Sequence, residues 1–379
     1  MKKIIFATFL MAAVSSEVSG QTISTPDFPK ATALKEILDR YTKDALPGAV
    51  ISVYSGNDGA WSGAGGFSDI ARKQAMNTSM LQYLQSISKS YMAVAILKLY
   101  EDGRIRLDDP ITKYLSPKHY NLLANASRIT IRMLLNHTSG LPEYSNNPAF
   151  VSYVMLHPTT VFDIEDALTY LKDEKAIFEP GAKHKYCNTN YLLLSMIADA
   201  LTGDHATYID KIIFQKLHLR NTFYRSSPGY LKYDNLVHAY WDVLETSRPA
   251  DITPLQLANV ATLKGDDGIV CTPDDAITFL KGLQEGKLLR PETFEEMKTW
   301  VNDDAGKPIY GLGLVYYEAG GLKGFGHSGG GIGAGCMLIY VPEKNTYIFM
   351  ATNVGTLFGG PLAAKADAMK NEILATLLF

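Results

Sequence analysis

A serine and a lysine three positions apart, Ser86 and Lys89, are the residues most able to do chemistry. They begin an apolar segment that predicts a helix from Ser86 to Asp102, so both side chains share one helix face. A serine becomes a nucleophile when a base removes its proton, and a partly buried lysine with a lowered pKa can be that base. The helix N-terminus adds N–H groups that can bind an oxyanion. Alternatively, Ser86 is only the N-cap of a polar first turn.

Tyr186 and Asn188 form a second candidate element, directly before a predicted helix over Asn190 to Thr202. A tyrosine can relay a proton, and an asparagine amide can orient a lysine and bind a substrate carbonyl. Taken alone, this element favours a simpler interpretation, in which Asn188 caps the helix and Tyr186 is half-buried core.

A glycine-rich segment ahead of an apolar strand is the third element, and it contains His327, Ser328, Gly329 and Gly330. Glycines let a substrate backbone approach closely, and their N–H groups can line an oxyanion hole. His327 and Ser328 can donate to a substrate carboxylate or leaving group. A flexible turn between two strands explains the same residues equally well.

Other catalytic classes fit the sequence poorly. Residues 324–330 match the letters of a nucleophile elbow and of a dinucleotide fingerprint, but a strand follows them and no βαβ pattern surrounds them. The eight histidines include no pair at metal-binding spacing, and the three cysteines are far apart, which disfavours zinc hydrolysis.

Composition excludes several further classes of protein. The chain has 379 residues, of which 46% are hydrophobic and 20% charged, as in ordinary globular proteins. With 36 basic and 39 acidic residues the net charge is −3, which argues against a nucleic-acid partner or an anionic membrane surface.

The first twenty residues have the order of a secretory signal peptide: two lysines, an apolar run from Ile4 to Val14, and small residues up to Gly20. The run is too short for a permanent membrane span. We expect cleavage after Gly20 and export to the periplasm or the extracellular medium. Export places the cysteines in an oxidising compartment, where three buried thiols remain the favoured interpretation.

Predicted strands near both ends of the chain surround a mainly helical middle. This pattern predicts an α+β fold in which one sheet is built from both termini and a helical domain is inserted. We expect residues 21–379 to form a single catalytic unit, with an α/β lobe at about 27–75 and 250–379 and a helical lobe at about 76–249.

Together, and in this order, the three elements resemble the motifs of the penicillin-recognising serine hydrolases. This group contains the class C β-lactamases and the D-alanyl-D-alanine carboxypeptidases, with related esterases and D-aminopeptidases. The resemblance runs over about residues 48–355 and includes Leu107–Pro110, Ile129–Arg132, Leu134–Pro142, Phe178–Gly181, Gly268–Thr272 and Tyr310–Gly313. It implies an antiparallel sheet flanked by helices, an all-helical domain, and Ser86 in the cleft between them.

The resemblance also implies roles for the candidate residues. Ser86 is the acylated nucleophile, Lys89 is its base partner, and Tyr186 is either a proton relay or the alternative base. Asn188 holds the substrate amide and Lys89, while the N–H groups of Ser86 and Gly330 form the oxyanion hole. His327, Ser328 and Gly329 complete the substrate-binding strand, and neither a cofactor nor a metal is implied.

Three positions depart from the resemblance. His327 stands where class C β-lactamases have lysine, so carboxylate recognition is expected to be weaker or pH-dependent. Cys187 replaces a small residue, a change we expect to be tolerated. Gln85 stands where glycine is common before the nucleophile, and the sequence offers no explanation for it.

The expected function is therefore an exported serine hydrolase that forms an acyl-enzyme at Ser86. D-amino-acid-containing peptides or amides, such as peptidoglycan fragments, are the favoured substrates. A β-lactamase is the second alternative and a carboxylesterase the third. A non-catalytic relative that binds cell-wall fragments is the alternative outside enzymes, although it would be expected to have lost Ser86, Lys89 or Tyr186.

Overall fold

A computed structural model describes residues 27–161, 163–224 and 235–379. The predicted signal peptide, residues 1–20, lies outside the described residues. Within those ranges, every helix is too short or too polar to cross a membrane.

Strands and helices alternate irregularly along the chain. The strands are β1 (Gly48–Ser55), β2 (Gly59–Asp69), β3 (Gln74–Ala75), β4 (Gln82–Tyr83), β5 (Thr222–Tyr224), β6 (Tyr240–Trp241), β7 (Ala250–Asp251), β8 (Ile269–Cys271), β9 (Val301–Asn302), β10 (Pro308–Tyr310), β11 (Val315–Ala319), β12 (Leu322–Gly330), β13 (Gly335–Val341) and β14 (Thr346–Thr352). The helices are α1 (Ala31–Asp44), α2 (Ser88–Glu101), α3 (Pro117–Tyr120), α4 (Ile131–Leu135), α5 (Pro148–Leu156), α6 (Ile164–Thr169), α7 (Asn188–Thr202), α8 (His205–Ile209), α9 (Gln215–Leu217), α10 (Thr253–Thr262), α11 (Pro273–Gln284), α12 (Pro291–Met297) and α13 (Pro361–Leu378).

The main sheet has nine strands in the order β3-β2-β1-β14-β13-β12-β11-β10-β9, and its described pairings are antiparallel. Strand β1, from the start of the chain, pairs with β14, near its end, so that Val53 lies opposite Ile348. The sheet is therefore assembled from both termini, and the predicted α+β class is confirmed.

Helices cover both faces of this sheet because alternate residues of each strand point to opposite sides. On β1, Ala49, Ile51 and Val53 pack in the core that contains α1 and α13. Val50 points the other way, into the larger core shared with the helical part of the chain. There, Ser52 donates to Asp274 at the start of α11 across 3.2 Å, so α11 packs on this second face.

Helix α2 runs through the middle of the larger core. Its residues from Ser88 to Leu97 are all buried, so it is surrounded on every side, unlike an amphipathic surface helix. Helix α7 is similarly buried from Thr189 to Ala198. The two central helices give the residues at their N-termini rigid positions.

Two details of the sheet go beyond the sequence analysis. The glycine-rich segment, for which a turn was one interpretation, is part of strand β12. Strands β10 and β11 are separate, because Gly311 to Gly313 interrupts the extended chain between them. Gly313 has a φ of 83°, and a Cβ there would lie 2.3 Å from Ala93, so the chain must turn against α2 at this point.

Candidate active site

Ser86 lies in a short 3-10 turn, Gln85–Ile87, that leads directly into α2. The turn begins at Gln85, whose φ of 47° is in the left-handed region. A residue with a Cβ pays roughly 1–2 kcal/mol for this conformation, whereas glycine adopts it without strain. This explains why glycine is common here in the resembling enzymes. In this chain the buried Gln85 keeps the same turn at the cost of backbone strain.

Lys89 follows on the first turn of α2, and its side chain is fully buried. Its Nζ donates to Ser86 Oγ across 3.0 Å and to the carbonyl oxygen of Asp266 across 2.9 Å. Burial lowers the pKa of Lys89, but the neighbouring Tyr186 and the two carboxyl groups of Asp266 and Asp267 outweigh it and raise the pKa above its ordinary value. The surroundings therefore favour the charged form of Lys89 rather than the lowered pKa considered for a base, and the resting site holds an ammonium.

Tyr186 stands over this ammonium, just before α7. Nζ of Lys89 lies 5.1 Å from the centroid of the Tyr186 ring, and the phenol hydrogen-bonds with Ser86 and Lys89. Although 38% of the residue is exposed, burial of its hydroxyl raises the pKa of Tyr186, and the ammonium and these hydrogen bonds only partly oppose that effect. Ser86, Lys89 and Tyr186 thus form one hydrogen-bonded group.

Asn188 is the first residue of α7, and its position is held by a carboxylate. Its backbone N–H donates to Glu143, whose other oxygen accepts from the N–H and hydroxyl of Ser145 at 3.1 and 2.9 Å. A carboxylate at a helix N-terminus is stabilised by the helix dipole. Asn188 is not the side-chain cap of α7, because it is the first helical residue and the N-cap position belongs to Cys187.

His137 holds the segment around Tyr186 in place, and the sequence reasoning did not single it out. Its Nδ1 accepts from the N–H of Cys187 at 3.2 Å and from the amide of Asn190 at 3.1 Å. Its ring lies 4.3 Å from that of Tyr186. Burial, reinforced by Lys89, holds the pKa of His137 well below its usual range, so the ring is a neutral acceptor. The signal was available, since His137 lies within the Leu134–Pro142 match.

Strand β12 closes the site on the other side. A Cβ on Gly329 would lie 2.6 Å from the carbonyl oxygen of Leu84 and 2.7 Å from the Cβ of Gln85. Only glycine at this position lets the strand pack directly against the nucleophile turn. Gly330, the next residue, is exposed toward the cleft.

His327 is buried within β12, and both of its ring nitrogens are engaged inside the protein. Nε2 lies 2.9 Å from the hydroxyl of Tyr310, and Nδ1 lies 2.6 Å from the carbonyl oxygen of Ser328. Because a carbonyl only accepts, Nδ1 carries the ring proton and Nε2 accepts from Tyr310. Burial lowers the pKa of His327 to about 3, and Lys89 adds to this effect. The expected titration of His327 near neutrality is therefore wrong.

These elements converge on a cleft of about 810 Å³. Most of the sequence-predicted site residues line it: Ser86, Tyr186, Asn188, His327, Ser328 and Gly330. Lys89 is buried beneath Ser86, and Gly329 packs against the turn behind it. The structure thus brings the three separate sequence elements together at one place.

Comparison with known proteins agrees with this geometry. Residues 34–369 match the sequence model of the family described as Beta-lactamase, which covers most of the chain. The chain belongs to the beta-lactamase family. It is a serine hydrolase of that family, as the resemblance implied.

Relatives of this beta-lactamase-family hydrolase include peptidases and amidases. Penicillin-binding protein 4* of Bacillus subtilis (strain 168) is 27% identical over 326 residues, which span 82% of this chain and 68% of that protein. The D-alanyl-D-alanine-carboxypeptidase/endopeptidase AmpH of Escherichia coli (strain K12) is 24% identical and is covered over 90% of its length by 92% of this chain. The crystal structure of a D-stereospecific amidohydrolase from Streptomyces sp. superposes with a TM-score of 0.77 at 26% identity, covering 90% of this chain and 98% of that one.

Three carboxyl groups also line the cleft of this beta-lactamase-family hydrolase, and the sequence reasoning singled out none of them. They belong to Glu143, Asp266 and Asp267. Burial raises the pKa of Asp266 to about 7 and that of Asp267 to about 8. Asp266 and Asp267 fall at the edge of the Gly268–Thr272 match, but acidic residues in a loop usually indicate only a solvated surface.

The remaining thiols and metal-type ligands lie outside this chemistry. Cys187, Cys271 and Cys336 are buried free thiols, in agreement with the favoured interpretation. Asp199, Asp204 and His205 approach one another within 4.8 Å, but Asp199 accepts from the N–H and Nδ1 of His205 and Asp204 caps α8. These contacts stabilise the junction of α7 and α8.

Proposed function

We propose that this protein hydrolyses amide bonds of D-amino-acid-containing peptides or amides through an acyl-enzyme at Ser86. The observation that carries the proposal is the 3.0 Å contact between Nζ of Lys89 and Oγ of Ser86 at the base of the cleft. A hydroxyl held by a buried amine, with a phenol in the same hydrogen-bonded group, can lose its proton as it attacks.

The acylation step starts from the form of the site in which the Lys89–Tyr186 pair has released one proton. Oγ of Ser86 then bonds to the substrate carbonyl carbon while its proton passes to that pair. The N–H groups of Ser86 and Gly330 stabilise the oxyanion. When the C–N bond breaks, the pair returns the proton to the leaving amine. Water then attacks the ester, releasing the acid and restoring the Ser86 hydroxyl. Either Lys89 or Tyr186 can be the immediate proton acceptor in this scheme.

The names of the relatives support the choice of substrate class. One is a D-alanyl-D-alanine-carboxypeptidase/endopeptidase and another is a D-stereospecific amidohydrolase. The first name specifies a D-alanyl-D-alanine substrate and the second a D-stereospecific amidohydrolase, and the second protein resembles this chain over nearly its whole length. We further propose that residues 1–20 direct export, as their sequence pattern indicates.

Labelling and turnover test this proposal. A fluorophosphonate probe should add one phosphonyl mass to the wild-type chain and none to Ser86→Ala, as measured by intact-mass spectrometry. Lys89→Ala and Tyr186→Phe should slow the labelling by about 100-fold or more. A label that persists in Ser86→Ala would remove Ser86 as the nucleophile.

Relative kcat/KM values for a D-Ala-D-Ala peptide, a D-amino acid amide, nitrocefin and p-nitrophenyl acetate then rank the candidate activities. We expect one of the two D-amino-acid substrates to rank first. Turnover led by nitrocefin or by the ester would replace the proposed substrate class while leaving the acyl-enzyme intact. Labelling without turnover of any substrate would favour the non-catalytic binding protein.

A further inference from the structure

Acidic side chains line the described part of the cleft without lysine or arginine side chains to balance them. Glu143, Asp266 and Asp267 line it, whereas no lysine or arginine does so among the residues that the structure describes. Lys89 lies beneath Ser86, and its charge acts on the carboxyl groups of both Asp266 and Asp267. His327, the group that could have bound a substrate carboxylate, is neutral with both nitrogens engaged.

One carboxyl oxygen in this cluster has no partner. The carboxylate of Glu143 accepts hydrogen bonds from the backbone N–H of Asn188 and the hydroxyl of Ser145. Oδ1 of Asp267 accepts from the N–H of Gly268 at 2.7 Å. Oδ1 of Asp266 is buried without a hydrogen-bond donor from another residue, and Asp266 is only 2% exposed. A buried carboxyl oxygen without a partner is costly, and a donor group on a bound substrate would offset that cost.

The position of Asp266 relative to Ser86 indicates which group of a substrate could donate a hydrogen bond to its carboxyl. The same Lys89 nitrogen contacts Ser86 Oγ and the backbone carbonyl of Asp266, and Asp266 lines the same cleft as Ser86. In an amide of an unblocked amino acid, the α-ammonium is attached to the carbon next to the carbonyl that Ser86 attacks. It therefore enters the cleft within a few ångströms of the acylation site.

We propose that Asp266 is a specificity residue that accepts the α-ammonium of the acyl group. The preferred substrates are then amides of D-amino acids with a free amino group, rather than N-acylated peptides or compounds recognised by a carboxylate. The inference rests on the proposed function and narrows it to an aminopeptidase-like or amidase-like activity. An ammonium that pairs with a carboxylate forms a short, charge-assisted hydrogen bond, which gives both affinity and orientation.

The cleft is also lined by apolar side chains, which favour an apolar side chain on the substrate. Helix α5 contributes Phe150, Val151, Val154 and Met155, and Leu357 and Phe358 lie on the same cleft. A large apolar side chain on the substrate would bury part of this surface. D-Phenylalanine derivatives are therefore suitable probes.

The test compares D-phenylalanine p-nitroanilide with its N-acetyl derivative at about pH 7, where an α-amino group is largely charged. We expect the wild type to prefer the free amine in kcat/KM by about tenfold or more, as a charge-assisted contact implies. Asp266→Asn, which keeps the shape and loses the charge, should reduce this preference by about tenfold. Asp367→Asn is the matched control, because Asp367 is exposed on α13 and pairs with Lys370. The control should keep the wild-type preference.

A second readout does not depend on turnover or on a variant. D-phenylalaninamide should protect wild-type Ser86 from fluorophosphonate at a lower concentration than N-acetyl-D-phenylalaninamide does. Equal protection by the two compounds would overturn the inference. The inference would also be overturned if Asp266→Asn lowered kcat/KM equally for the free and the N-acetylated anilide. That result would mean that Asp266 acts only through the charge of Lys89. In both cases the labelling of Ser86, and with it the acyl-enzyme, would still stand.

Discussion

The hydroxyl of Tyr310 donates to Nε2 of His327 across 2.9 Å. This bond, together with the one from Nδ1 to the carbonyl of Ser328, uses both ring nitrogens of the histidine inside the protein. The strand that borders the cleft therefore presents a neutral edge to the substrate. Class C β-lactamases, which this chain resembles, have a lysine at the same place.

A cation at this position should change the substrate preference. In His327→Lys, an ammonium beside the cleft would attract the carboxylate of nitrocefin but leave neutral p-nitrophenyl acetate unaffected. We expect the ratio of the two kcat/KM values to shift toward nitrocefin by about tenfold, equivalent to about 1.4 kcal/mol. His327→Gln, which adds no charge, is the control. An equal ratio in the two variants would show that this edge does not contact the carboxylate.

The pH dependence of acylation should reflect the coupled Lys89–Tyr186 pair. The pKa values of both groups are raised, so the proton-accepting form is scarce at neutral pH and increases as the pH rises. With p-nitrophenyl acetate, the acylation rate should still be rising above about pH 8. Stopped-flow measurement of the p-nitrophenol burst tests this. A rate that has already reached its plateau below about pH 6 would require a base with a lowered pKa.

Asp266 should make the fold less stable as the pH rises. Its pKa is about 7 in the folded protein against an ordinary value of 3.8, so the folded state keeps a proton that the unfolded state releases. Stability is therefore lost between those two values and stays reduced above them. The groups that face Asp266 are Lys89, which opposes the shift, and Glu143, which adds to it.

Asp266→Asn should consequently be more stable than the wild type at about pH 8, by about 1–3 kcal/mol, with a smaller difference at about pH 4. Urea unfolding at the two pH values measures the change, with Asp367→Asn as the surface control. A variant that is destabilised equally at both pH values would mean that Asp266 has a purely structural role.

His137 should act on catalysis by positioning Tyr186. His137→Phe keeps an aromatic ring but leaves the N–H of Cys187 and the amide of Asn190 without their acceptor, at a cost of about 1–3 kcal/mol. We expect a lower melting temperature and a fall in kcat with KM little changed. The exposed His157→Phe serves as the control. A loss of stability with kcat preserved would limit His137 to a structural role.

The glycines of β12 should differ in their tolerance of a methyl group. In Gly329→Ala the new Cβ would lie 2.6 Å from the Leu84 carbonyl oxygen, so the strand must move away from the nucleophile turn. We expect a loss of about 1–3 kcal/mol and a large loss of activity. In Gly330→Ala the nearest atom is 3.2 Å away, at the hydroxyl of Thr356, and the change should be milder. Thermal unfolding compares the two, and equal effects would contradict the proposed packing.

Much of the active site could be predicted from the sequence because its signals are local. Ser86 and Lys89 are one helical turn apart, and the strands at the two ends of the chain carry their own alternating pattern. Gln85 could not be explained in this way, since its positive φ is imposed by the turn between β4 and α2. The break between β10 and β11 has no local signal either, because the close approach of Gly313 to Ala93 joins distant segments.

By itself, the sequence determined the family and the α+β class and indicated the candidate reacting groups, since these depend on residue types, order and spacing. Only the tertiary structure decided the charge states. Burial and the surrounding charges raised the pKa of Lys89, lowered that of His327, and left an oxygen of Asp266 without a donor. A pKa is a property of the surroundings, and in this cleft those surroundings come from segments far apart in the chain.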